Sequence, residues 1–164
     1  MAIMAKRHIY LTVLTLIMGL LALPTEAQTP NFGQMELASG FDRAAATAMG
    51  TTGGSIRLGD LAQQLNRGRV PAACQVANLH ANQTPDHLLI LHPDIETLRL
   101  VVNNGGKTAV LLLQGPDGQL HCSSPGERFN EDAILQDVDW TAGNYYLWVA
   151  AEKAGQQYRL SARE

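Results

Sequence analysis

Hydrophobic positions fall in short runs separated by Gly, Asn, Asp and Pro, and several of these runs alternate with polar residues. Thr97 to Val102 sets Leu98, Leu100 and Val102 on one face and Thr97, Arg99 and Val101 on the other, the period of two of a half-buried strand. In Tyr145 to Ala150, the most β-prone run, Tyr145, Leu147 and Val149 share one face while Tyr146 and Trp148 share the other. His87 to His92 encloses four consecutive apolar residues, which suits a strand covered on both faces. Leu98 to Cys122 reads as a core hairpin. Asn103-Asn104-Gly105-Gly106 joins its two apolar runs, and the second breaks at Gly115-Pro116-Asp117-Gly118, residues that accept or preset the φ angles of tight turns. A last strand, Gln157 to Ser161, is expected to pair across the turn at Glu152 to Gly155.

Upstream, Asn31 to Leu37 alternates weakly as a first strand. Residues 43–49 suit a helix by propensity, but they run into Gly50-Thr51-Thr52-Gly53-Gly54 and are expected to form a surface loop. Ser55 to Leu58 reads as a strand. Asp60 is then expected to cap one or two helical turns, with Gln63 at the capping-box position and Leu58, Leu61 and Leu65 on one side. Seven or eight short strands with little helix predict an all-β antiparallel sandwich of Greek-key or jelly-roll type. Residues 28–70 would add strands and a loop extension to a core at 71–164, within a single domain. Ser123 to Asp139 is a long polar excursion, the kind of loop that often carries function.

The first residues read as an export signal. Lys6 and Arg7 precede an apolar run from Ile9 to Leu23, and Thr25 and Ala27 supply small residues for cleavage after Ala27. The expected product is secreted or periplasmic, with no membrane segment once residues 1–27 are removed. It keeps ten basic and fourteen acidic side chains, the basic ones scattered singly along the chain, which gives no nucleic-acid footprint. Its two cysteines, Cys74 and Cys122, are expected to pair in an oxidising compartment; redox thiols would call for a Cys-x-x-Cys spacing that is absent.

The segments Leu111-Leu112-Leu113-Gln114-Gly115-Pro116-Asp117-Gly118, His121-Cys122, Asn130 and Ala142-Gly143-Asn144-Tyr145-Tyr146-Leu147-Trp148-Val149 resemble the bacterial pre-peptidase C-terminal domain family, in its stand-alone exported cyanobacterial type. Asn31-Phe32-Gly33, Gly40-Phe41, Gly50-Thr51-Thr52-Gly53-Gly54 and Pro85-Asp86-His87 extend the resemblance upstream. It implies a jelly-roll-like sandwich acting as a non-catalytic targeting or binding module, usually appended to a secreted protease. Two departures stand out. No protease domain is expected beside it, and Ser123, Ser124 and Glu131 stand where relatives carry two aspartates and a proline.

Those serines weaken a calcium site, for which Asp117, Asn130 and Asp132 are the leading ligands, with Glu131, Asp137 and Asp139 nearby. Without calcium the same residues are a solvated acidic loop. His80, His87, His92 and His121 make poor zinc co-ligands, since His87 and His92 fall on opposite faces of one strand. No Gly-x-Ser-x-Gly marks a hydrolase nucleophile, so an enzyme or hydrolase accessory ranks third. Tyr146 and Trp148 leave two readings open: an exposed platform on which sugars or peptides stack, or a second apolar face covered by a loop. The leading function is an exported binding module for a glycan or for an envelope or secreted protein. A structural role in envelope assembly is the alternative.

Overall fold

The computed structural model describes residues 28–66, 68–93, 95–124, 132–136 and 139–164. The expected export signal, and with it residues 1–27, lies outside them, as do Asn130, Glu131 and Asp137. Two sheets pack face to face. The larger holds β1 (Gln34–Leu37), β3 (Ile56–Arg57), β4 (His80–Ala81), β5 (His87–Leu91), β7 (Ala109–Gln114), β8 (Leu120–Cys122) and β10 (Gly143–Ala151). The smaller runs in the order β2 (Thr47–Thr51), β11 (Gln157–Arg163), β6 (Arg99–Asn103), β9 (Ala133–Leu135). This is the sandwich expected from the strand spacing. Its described ladders are antiparallel except that β1 lies parallel to β5.

Two hairpins expected from local turns do not form. β6 pairs with β11 and β9 in the smaller sheet, while β7 pairs with β10 and β8 in the larger one, so the Asn104 to Thr108 connection arches between layers. β11 likewise leaves β10 to pair with β2 and β6. The reason lies in what each strand must bury. β7 is apolar on both faces and needs cover above and below, whereas β6 and β11 are wet on one face and suit an outer sheet. The hairpin that does form joins β7 to β8 through Gly115–Gln119, where Gly118 takes a φ of 78°.

The larger sheet is therefore a middle layer between two apolar clusters. Tyr145, Leu147, Val149, Leu111 and Leu113 face the smaller sheet and meet Leu100, Val102 and Leu160 there. The opposite face, with Trp148, Val110 and Leu112, is covered by α1 (Leu58–Leu65) and the turn at Ala72–Cys74. Helix α1 presents Leu58, Leu61 and Ala62 inward, close to the expected stripe. Its N-cap is Arg57, however, so Asp60 stands inside the first turn instead of capping it. There Asp60 favours the helix dipole and pairs with Arg57 at 2.9 Å. Cys74 and Cys122 form a disulfide that ties this cover to β8, with Cα atoms 5.3 Å apart.

Candidate functional site

The aromatic face expected as a stacking platform is closed. Trp148 is 0% exposed and belongs to the cluster beneath α1; Tyr146 is half-buried against the same cluster. The physical cause is the α1 cover. Leu58, Leu61 and Leu79 bury apolar area that no isolated helical turn could bury alone, and the indole is the largest surface available to receive them. Of the two readings of this face, covering wins, and no ligand stacks on Trp148 while α1 is in place.

Two of the expected calcium residues, Asp117 and Asp132, stand on different elements. Asp117 lies in the turn between β7 and β8, where its Oδ1 accepts the Gln119 N–H at 2.9 Å. Asp132 precedes β9 of the other sheet and accepts the Asn103 side-chain amide at 2.8 Å. Asn130 lies outside the described residues. Among the described residues, no three His, Cys, Asp or Glu side chains come together to hold a metal. His87 is buried and His92 exposed, on opposite faces as the odd spacing required.

A buried polar cluster occupies one end of the sandwich and unites Asn31, Phe32, Gly50, Asp86 and His87, residues far apart in sequence. Strand β10 is flanked by β5 as far as Leu147 and rejoins a neighbour, β4, at Ala151. The Val149 N–H falls in the gap, and the Asp86 Oδ2 accepts it at 2.8 Å. Asp86 Oδ1 accepts the side-chain amides of Asn82 at 2.8 Å and Asn31 at 3.1 Å. The carboxylate thus replaces a missing ladder partner. Burial raises its pKa, opposed by those three hydrogen bonds. Next to it, His87 Nε2 and Tyr158 Oη are hydrogen-bonded at 2.9 Å, with the exposed ring of Phe32 resting over both. Gly50 faces Tyr158 across the ladder, and a Cβ there would run into the phenol ring. Every Asp86 hydrogen bond goes to a structural donor and His87 is fully buried, so this trio ties the end of the sandwich together.

Burial holds the His87 imidazole neutral, with its pKa lowered to about 4 from 6.5. The unfolded chain takes up that proton first as pH falls. Stability is therefore full above about pH 6.5 and declines towards pH 4, by at most about 3 kcal/mol. Asp86 acts in the opposite sense, because its raised folded pKa returns part of this loss as it protonates. Urea midpoints at pH 7 and pH 4.5 check the assignment: the drop should shrink to half or less in His87→Gln, and equal drops in both proteins would contradict it.

Above the covered face lies an open groove. Arg57, Asp60 and Gln63 line one side of it and Val70, Gln75 and Asn78 the other, enclosing about 360 Å³. The α1 wall arises because the helix spends its apolar stripe on Trp148 and leaves its polar positions outward. The opposite wall hangs from the disulfide, since Gln75 directly follows Cys74. Asn78 holds a left-handed φ of 63°, a conformation asparagine tolerates. These side chains offer guanidinium, carboxylate and amide groups to one space, a set that exchanges hydrogen bonds with hydroxyl-rich ligands. The sequence contained one sign of it, the alternation of Gln63 and Asp60 with the Leu58, Leu61 and Leu65 stripe. The facing wall comes from a non-helical segment with no periodicity to read.

No family model and no curated protein matches the chain. Among solved structures it is similar to the pre-peptidase C-terminal domain of a collagenase from Bacillus anthracis, with 12% sequence identity and a TM-score of 0.44. The similarity covers 79% of this chain and 94% of that one.

Proposed function

We propose that this chain is a non-catalytic binding module working outside the cytoplasm, and that it holds a glycan in the groove between α1 and the Gln75 to Asn78 segment. The observation that carries the reading is the groove itself. Its volume of about 360 Å³ falls in the range of small-ligand sites, and its lining sets polar side chains, which can meet a sugar's hydroxyls, beside Val70, Val76 and Ala77, which can meet its ring carbons. The Cys74–Cys122 disulfide supports both parts of the proposal. It fits an oxidising compartment, and it fixes one wall before the ligand arrives, which lowers the entropy lost on binding.

Retention on a panel of immobilised neutral polysaccharides tests this reading. The protein should run as a monomer on size exclusion, be retained by at least one polysaccharide, and lose retention at least tenfold in a Gln63→Ala, Gln75→Ala variant. Both side chains are exposed, so the variant's melting should stay within about 0.5 kcal/mol of the parent. A stable oligomer retained by none of the panel would favour the assembly role instead.

A further inference from the structure

The basic residues that look scattered in the sequence are gathered by the fold. On the outer face of the smaller sheet, the outward positions of β11 are Gln157, Arg159, Ser161 and Arg163, and those of β6 are Arg99, Val101 and Asn103. The outward positions of β2 are Thr47, Met49 and Thr51. None is acidic. Arg43 joins Arg159 and Arg163 around a depression of about 240 Å³ floored by Thr47 and Ser161. Arg163 also lines a second depression of similar size with Arg99, Glu96 and Glu164. None of the four arginines has an ion pair among the described residues, where the recorded pair is Arg57–Asp60. The nearby acids lie at the border of the face and not on its outward strand positions: Asp42 accepts the Ala44 N–H, Glu164 the Gly40 N–H, and Asp132 the Asn103 amide. Glu96 remains at the rim beside Arg99.

One feature of this face opposes its own stability. Arg99 and Arg163 are directly opposed in the antiparallel ladder of β6 and β11, both outward. Like charges directly opposite one another weaken a sheet pair. A chain with more acidic than basic residues has nevertheless placed three arginines on two adjacent strands.

We infer that the outer face of the smaller sheet is a second binding surface, and that its ligand is an acidic polysaccharide lying across β2, β11 and β6. Arg159 and Arg163 are four residues apart on one strand, roughly 13 Å, so the depression they line with Arg43 is long enough to meet successive anionic groups of one chain. Guanidinium forks pair bidentately with carboxylate or sulfate groups. A linear polymer with repeated anionic groups engages these cations several times at once, and it relieves the Arg99–Arg163 repulsion as it does so. Single-stranded nucleic acid fits less well, because no outward position of β2, β6 or β11 carries an aromatic ring for base stacking. An anionic membrane also fits less well, since among the described residues Met49 is the one large hydrophobic exposed on this face and an interfacial anchor needs a broader apolar face.

The test is independent of the groove. Affinity electrophoresis of the full protein is run through gels containing polygalacturonate, dextran sulfate or neutral dextran, with single-stranded DNA and phosphatidylglycerol vesicles as competitors. Retardation is expected in at least one of the two acidic gels and absent in neutral dextran. It should fall at least tenfold in an Arg159→Ala, Arg163→Ala variant, weaken with added salt, and persist in the Gln63→Ala, Gln75→Ala variant. The arginine variant should melt no lower than the parent, because it removes a like-charge pair. Retardation that is absent in both acidic gels, or undiminished in the arginine variant, would overturn the inference. So would competition by DNA or vesicles at lower concentrations than free polygalacturonate or dextran sulfate.

Discussion

Replacing Trp148 by alanine will lower the folding free energy by about 3–5 kcal/mol, the range for removing a fully buried large aromatic. The indole is 0% exposed and belongs to a cluster drawn from several parts of the chain: Leu58 and Leu61 of α1, Cys74, Leu79, and Val110 with Leu112 of β7. No helix, sheet or disulfide neighbour can move in alone to fill the space it leaves, so a cavity term adds to the lost transfer energy. The Nε1 has no hydrogen-bond partner among the described residues, so the loss is one of packing. Trp148→Phe, which keeps most of the volume, should recover more than half of it. Urea denaturation followed by far-UV circular dichroism measures both. A loss below about 1 kcal/mol for the alanine variant would mean that the face is open and α1 does not cover it.

Opening the Cys74–Cys122 bridge is expected to cost up to about 4 kcal/mol, since it releases a loop spanning 48 residues. The effect should be uneven across the fold. Cys74 sits at 0% exposure in the cluster under α1, and the bridge joins that cover to β8, whereas the cluster between the sheets contains neither cysteine. A Cys74→Ser, Cys122→Ser protein should therefore lose amide-exchange protection first in α1 and the Ala72–Cys74 turn, while β6 and β11 keep theirs longest. Equal loss of protection in both sheets would show that the second cluster does not unfold separately. Urea midpoints with and without reductant provide the overall figure.

Much of the architecture is legible in residue periodicity, because burial on one face leaves a period of two. Tyr145, Leu147 and Val149 fall on the face expected for the core, and the unbroken apolar run of β7 reflects cover on both sides. Which strands pair is less legible. Asn103 to Gly106 carries turn chemistry equally suited to a hairpin and to an arch, and only the far partners of β6 and β7 decide between them. Strand β2 is hidden for a different reason: Thr47-Ala48-Met49-Gly50-Thr51 has weak strand propensity, and it pairs because Gly50 makes room for Tyr158. The site is legible least. Gln63 and Gln75 face a groove that exists only once a disulfide and a tryptophan have fixed its two walls, and Arg99 comes opposite Arg163 only through the pairing of β6 with β11.

The placement of binding on the groove instead of on the aromatic face is tested most directly by one comparison. Retention on an immobilised polysaccharide that holds the parent protein is measured for Trp148→Phe and for Gln63→Ala, Gln75→Ala under the same conditions. A groove site predicts parental retention by the folded Trp148→Phe protein and at least a tenfold loss in the glutamine variant. Loss of retention in Trp148→Phe, with the glutamine variant unaffected, would return the ligand to the aromatic face and contradict the groove.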